Sequence, residues 1–169
     1  VRMHLAAIDL NNGSLLPWNP APDGAVTAMT IASGILYVGG TFTHASGVAR
    51  NSFVAFTIAN GAATAWNPNA VYSGGPDAIR AILPATNTVY LAGYFDSVGG
   101  PPRLRLAQLD IASRAPTARN PPPPLYGQRN ALPRSGTTVF HARYPLWRRA
   151  CTSAPPRYRP SPHSTGAGW

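Results

Sequence analysis

The sequence holds neither lysine nor glutamate: its 14 cationic side chains are all arginine and its five acidic ones all aspartate. An all-arginine complement fits a GC-rich coding sequence as well as selection for a partner. Cysteine is nearly absent too. Cys151 stands alone, which excludes an intrachain disulfide and says nothing of the redox compartment. No apolar run approaches the roughly 18 residues a bilayer-spanning helix needs, so no membrane span is expected. No signal-peptide pattern is present; because the sequence starts at Val1 inside a repeat, a leader upstream stays open. Five scattered carboxylates leave little from which to build a glycosidase pair.

The net charge of +9 describes only part of the chain. Up to Asp110 five arginines balance five aspartates, whereas Ile111–Trp169 carries nine arginines and no acid. Eleven of the 19 prolines also fall in that second stretch. A neutral, foldable part is thus joined to a basic, proline-rich one.

The first part repeats itself. Arg2-Met3-His4-Leu5-Ala6-Ala7-Ile8-Asp9 aligns with Arg50–Thr57 and with Arg103–Asp110. Trp18-Asn19-Pro20 recurs as Trp66-Asn67-Pro68, and in damaged form as Arg119-Asn120-Pro121. Ile35-Leu36-Tyr37-Val38-Gly39-Gly40-Thr41-Phe42 recurs as Thr88-Val89-Tyr90-Leu91-Ala92-Gly93-Tyr94-Phe95, and a third copy begins at Thr138-Val139-Phe140 and then fails. The arginine and tryptophan marks agree on spacings of 48 and 53 residues, with the extra residues in a loop insertion at Tyr72–Pro76.

Each unit contains four short strand candidates: in the first, Leu5–Asp9, Ser14–Trp18, Ala25–Ala32 and Gly34–Phe42. Asn11-Asn12-Gly13, Asn60-Gly61 and Ala32-Ser33-Gly34 are hairpin turns, since Asn and Gly tolerate the positive φ of tight turns. Four strands in such a unit match a propeller blade. The inner strands, including Val26–Ile31 and Ile35–Val38, are expected to be buried on both faces, with Gly39-Gly40 allowing close backbone approach. The competing architecture, a β-sandwich of three hairpins, would not need the same marks in every unit. The expected organisation is blades at 1–49 and 50–102, a degenerate unit at 103–140 and a tail at 141–169. Arg114 replaces the glycine of the Asn-Gly turn and Arg119 the tryptophan, so the third unit looks like a decaying copy. Trp147-Arg148-Arg149 becomes glycine-rich one base later, given suitable arginine codons. The tail is therefore either a shifted reading frame or a natural disordered Pro/Arg segment.

The pattern Arg-x-x-Leu-Ala-x-Ile-Asp, Asn-Gly, Trp-Asn-Pro, Leu-Tyr-Val-Gly-Gly-Thr-Phe resembles the delta-60 repeat of a β-propeller family, well over residues 1–100 and poorly over 101–140. The resemblance implies an all-β propeller fragment of two four-stranded blades plus a degraded third. It also implies export or a cell-surface location, beside adhesive modules. It implies no reaction and no catalytic motif.

The conspicuous residues have structural explanations. Trp18 and Trp66 could form a sugar-stacking platform, yet their recurrence favours packing between blades, with Asn19 and Asn67 tying down the turn. With Pro20, Pro68, Gly39, Gly40, Phe42, Gly93 and Phe95 they are repeat marks. Asp9–Gly13 lacks the alternating ligands of a calcium loop and suggests a turn. His4 and His44, aligned with Ser52 and Ser97, have no partner nearby in sequence. No catalytic, cofactor or metal residue is assigned. The expected function is a non-enzymatic scaffold of an exported bacterial propeller protein that binds protein or glycan, its other partners being further blades of a parent chain or copies of itself. The first alternative is a fragment of an extracellular propeller enzyme with catalytic residues in missing blades. The second is polyanion or nucleic-acid binding through the arginine-rich tail, against which the prolines argue.

Overall fold

The computed structural model describes residues 2–74, 78–119, 134–135 and 138–139. Expectations for Asn120, Pro121, Phe140 and the tail at 141–169 lie outside the described residues.

The described chain is all-β, built on two antiparallel sheets of the same design. The first sheet joins β1 (Val26–Ala32), β2 (Ile35–Gly40) and β5 (Phe53–Thr57) in the order β1-β2-β5. Between them β3 (His44–Ala45) and β4 (Val48–Ala49) form a small hairpin. The second sheet joins β7 (Ala78–Pro84), β8 (Thr88–Tyr94) and β10 (Leu106–Asp110), flanked by the small pair β6 (Ala70–Val71) and β9 (Ser97–Val98). A short pair, β11 (Arg134–Ser135) and β12 (Thr138–Val139), completes the described strands.

Each sheet thus takes two strands from one sequence unit and its third from the next. The hydrogen-bonded sheets are offset by half a unit from the repeat as cut at 1–49 and 50–102. The fourth strand is only a rudiment: Phe56 opposite Ala63 in the first sheet and Leu109 opposite Pro116 in the second. Leu5–Asp9 and Ser14–Trp18, expected as strands, likewise meet only at Ile8 and Leu15.

The two sheets stack face to face. Tyr37, Phe53 and Ala55 of the first pack with Ile79, Val89 and Leu109 of the second in one buried cluster. Thr27 donates its hydroxyl to the Ile79 carbonyl at 2.5 Å, joining the innermost strands β1 and β7 directly. β7 is buried or half-buried throughout, as expected for a strand between sheets. β1 departs from that expectation: it alternates, with Met29 57% and Ile31 64% exposed. They lie on the face turned away from the second sheet, which no described strand pair covers.

The glycine expectation has a sharp geometric basis. Both inner strands carry a register shift, between Val26 and Ala28 and between Ile79 and Ala81. Such a bulge bends the strand toward its partner. A Cβ on Gly40 would lie 2.0 Å from the Ala25 carbonyl oxygen, and one on Gly93 2.0 Å from that of Ala78.

Candidate functional site

The repeat marks are used up in holding the sheets. Arg2, Arg50 and Arg103 each reach a carbonyl 14 residues ahead, on the fourth-strand rudiment: Leu16 at 3.1 Å, Thr64 at 3.0 Å and Thr117 at 2.8 Å. The arginine therefore clamps the outer edge of each sheet, a role its position in the repeat alone does not show. Two residues on, His4, Ser52 and Arg105 have φ of 59°, 58° and 62°. In that conformation Ser52 N–H donates to the Phe42 carbonyl (2.8 Å) and its own carbonyl accepts from Gly40 (3.0 Å). Arg105 makes the same pair with Phe95 (3.0 Å) and Gly93 (3.2 Å). The backbone there is structural, while the side chain is free to differ.

Trp66 packs edge-on against Phe53 (5.3 Å) and Tyr37 (5.9 Å), and its indole N–H donates to the Arg114 carbonyl of the second sheet at 3.2 Å. It bridges the two sheets. Trp18 repeats the arrangement on Phe56 (5.1 Å) and the Gly61 carbonyl (2.8 Å). Asn19 and Asn67 are exposed. The tie they were expected to make is made by their neighbours' carbonyls, Pro20 accepting from Ser46 N–H (2.6 Å) and Pro68 from Gly99 N–H (2.5 Å). Phe42 and Phe95 are buried at the loops they close. The Asp9 carboxylate accepts the Asn11 N–H at 2.8 Å inside its own turn.

Five of the residues that break the repeat meet in one place. Tyr72 lies in the loop insertion; Arg80 stands where the first sheet has Thr27, Tyr94 where it has Thr41, Asp96 where it has Thr43, and Arg105 where it has Ser52. All five gather at the loop end of the second sheet. The Arg105 guanidinium lies 5.2 Å from the Tyr94 ring centre and 5.5 Å from that of Tyr72; Arg80 lies 5.8 Å from Tyr94. The two phenol rings are 6.0 Å apart. Asp96 accepts from Ser73 N–H (2.8 Å) and hydroxyl (2.5 Å). Those bonds, and then the charge of Arg105, hold its carboxyl below the usual range, so it is ionised at neutral pH. Sequence reasoning missed this cluster. The signal was present in the alignment, as four substitutions between copies and one inserted tyrosine, but nothing there shows that they converge.

The corresponding loop end of the first sheet is wired the other way round. Asp23, before β1, accepts from Thr43 N–H and hydroxyl (both 2.7 Å) and from His44 N–H (2.9 Å). These bonds pull its carboxyl far below the ordinary range. His44 Nδ1 lies 3.0 Å from the same carboxylate. The histidine that lacked a partner in sequence therefore gains one in space. Among the described residues no group of three or more metal-ligating side chains forms, and no helix is long and apolar enough to cross a membrane.

The model of a family described as a domain of unknown function (DUF5122) β-propeller matches residues 85–110. That stretch runs from the turn before β8 to the end of β10, and takes in Tyr94, Asp96 and Arg105. The chain thus carries a partial repeat of a β-propeller family. No curated protein and no solved structure matches it.

Proposed function

We propose that the chain is a non-enzymatic propeller scaffold that binds a carboxylate-bearing glycan at the loop end of its second sheet. The observation that carries the reading is the convergence of Tyr72, Arg80, Tyr94, Asp96 and Arg105 on one surface, while the packing marks Arg103, Gly93 and Phe95 of the same sheet are kept. Residues that serve packing recur; residues released from packing can serve a ligand. The two guanidinium groups donate no hydrogen bond to a described residue, and lie over phenol faces that orient them. Arginine in that setting suits planar, two-point recognition of carboxylates. Asp96, Ser73 and the Tyr94 hydroxyl supply acceptors and donors for sugar hydroxyls. The resemblance to delta-60 repeats supports export to the cell surface, where acidic polysaccharides occur.

The test is binding of polygalacturonate, with dextran and poly-glutamate as comparators. Arg80→Gln and Arg105→Gln should each weaken polygalacturonate binding about tenfold, the effect of losing roughly 1.5 kcal/mol of a charged hydrogen bond. Equal binding of dextran, or unchanged affinity in both variants, would refute the reading. A preference for poly-glutamate would move the ligand to acidic protein. Binding through the arginine-rich tail would survive both substitutions.

The enzymatic alternative has one specific observation, the His44–Asp23 pair. Among the described residues no nucleophile stands beyond it: Thr43 shares the same carboxylate oxygen as His44. Asp23 and Asp96 both have lowered pKa values, unsuited to a general acid at neutral pH. Loss of hydrolysis of any glycan in Asp23→Asn, with binding intact, would restore that alternative.

A further inference from the structure

The two guanidiniums at the loop end of the second sheet stand apart, and their spacing bears on the kind of ligand they fit. In the strand order β10-β8-β7 the strand that ends in Tyr94 lies in the middle. Arg80 stands on β7, at the register shift between Ile79 and Ala81. Arg105 stands on the other side of Tyr94. Its backbone bonds to Phe95 at 3.0 Å and to Gly93 at 3.2 Å, on the β10 side of β8. The two side chains therefore come to the Tyr94 ring from strands on either side of it.

At 5.8 Å and 5.2 Å from one ring centre, the guanidiniums are at most about 11 Å apart. Strands two places apart in a sheet, at about 4.8 Å per place, are separated by about 10 Å, which sets the cations near that limit. A single carboxylate cannot serve both. Charge-assisted N–H···O bonds are about 2.8 Å long, so one carboxylate meets only cations close around it, and here an aromatic ring stands between the two. Neither cation is used up in the fold. Arg2, Arg50 and Arg103 spend their guanidiniums on carbonyls, whereas those of Arg80 and Arg105 hold none among the described residues.

The place also stays open when a neighbouring sheet is stacked beside it. Thr27 and Thr43 occupy the positions of Arg80 and Asp96 on the first sheet, which the second sheet covers on that side, and both are exposed. Thr27 is exposed even though its hydroxyl bonds across to Ile79. The loop end therefore lies outside the sheet-to-sheet contact.

We propose, on the footing of the glycan reading above, that this site reads two carboxylates carried by different sugar units of one chain, so that its ligand class is a polyuronate. One carboxylate goes to Arg80 and the other to Arg105. Tyr94 is a positioning residue, the spacer that keeps the two cations from closing on one anion. A monouronate, or a glycan with a lone terminal acid, engages one cation only.

The probes are galacturonate, trigalacturonate, and trigalacturonate methyl-esterified at two of its three carboxyls, each titrated into the full-length chain by calorimetry. Trigalacturonate should bind about tenfold more tightly than galacturonate, the worth of one further charged hydrogen bond. The esterified trimer has the same sugars but one carboxylate, and should fall back to the affinity of the monomer. In Arg80→Gln and in Arg105→Gln the advantage of trimer over monomer should vanish, with melting temperature reporting that each variant is folded. The esterified ligand makes the same comparison in the unaltered chain, so the test stands even where a variant misfolds. Galacturonate or the esterified trimer binding as tightly as trigalacturonate overturns the two-carboxylate site and leaves the glycan reading in place. A trimer advantage that persists in both folded variants overturns it as well, and assigns the added contacts elsewhere, the arginine-rich tail included. Failure of polygalacturonate and of every one of these probes to bind overturns the glycan reading together with it.

Discussion

Alanine at Gly40 or at Gly93 should be among the most damaging small substitutions in this chain. At each, the bulge carries a carbonyl across the glycine, so that a Cβ would sit 2.0 Å from oxygen, where real Cβ atoms stay beyond 3.0 Å. The obstacle is backbone, not a side chain that can turn aside, so the strand must yield by about an ångström. At Gly40 the crowded Ala25 oxygen also accepts the Thr41 N–H at 2.9 Å, a bond the displacement would loosen. Overpacking of this kind costs about 1–3 kcal/mol, and the weakened bond adds about 1 kcal/mol. The expected loss is about 3 kcal/mol, a large share of the roughly 5–15 kcal/mol that holds a typical domain. In urea, with a slope of about 1.5 kcal/mol/M, the midpoint followed by tryptophan fluorescence should fall by about 2 M. Two other glycines calibrate the scale. A Cβ on Gly39 would meet the Ile79 side chain at 2.6 Å, and the second copy already has Ala92 there, so Gly39→Ala should cost about 1–2 kcal/mol. Gly47, with φ +72° and open space around it, should cost about 1 kcal/mol for conformation alone. A Gly40→Ala protein no less stable than Gly47→Ala would show that the bulge does not impose the glycine.

Further outcomes follow from the same geometry. Arg103→Met removes the bonds to the Pro102 and Thr117 carbonyls, both 2.8 Å, from a buried side chain; it should cost about 2 kcal/mol and speed amide exchange around Thr117. Arg114 holds a φ of +61° that the other copies give to glycine. Arg114→Gly should stabilise by about 1 kcal/mol in urea titrations and protect the Trp66 indole N–H from exchange, the bond there being 3.2 Å against 2.8 Å at Trp18. Asp23 and Asp96 have carboxyls lowered by hydrogen bonds. A depressed native pKa contributes stability that is present above the unfolded value of about 3.9 and is lost as pH falls toward the native pKa. Melting temperature should therefore decline below roughly pH 4, by a modest amount because both groups are at the surface. Asp23→Asn should flatten that decline, and a slope unchanged in Asp23→Asn would assign it elsewhere.

Much of the framework is local and so is legible in the sequence. The marks at Arg2, Arg50 and Arg103 set the register, and the turns at Gly13 and Gly61 lie where Asn-Gly stands. Arg114 was recognised as a misplaced residue because positive φ is a property of one position, whatever surrounds it. Gly39-Gly40 is legible as a close-approach site for the same reason, since only glycine leaves that space, and Gly93 is legible as the repeat mark that aligns with Gly40. The phase of the sheets was not legible. A periodic sequence looks the same wherever the unit is cut, and the partner that β2 takes, β5 in the next unit, depends on non-local pairing. Nor did the pattern of Val26–Ile31 show that Met29 and Ile31 would stand exposed, since burial of a strand's second face depends on another sheet covering it. The pairing of His44 with Asp23, and the gathering of Tyr72, Arg80, Tyr94, Asp96 and Arg105, lie further still from sequence. Each brings together residues from separate loops, at distances set by how the strands align and the sheets stack. Local conformational rules thus determined the blades from sequence alone, and only the tertiary structure decided which side chains come together on their surfaces.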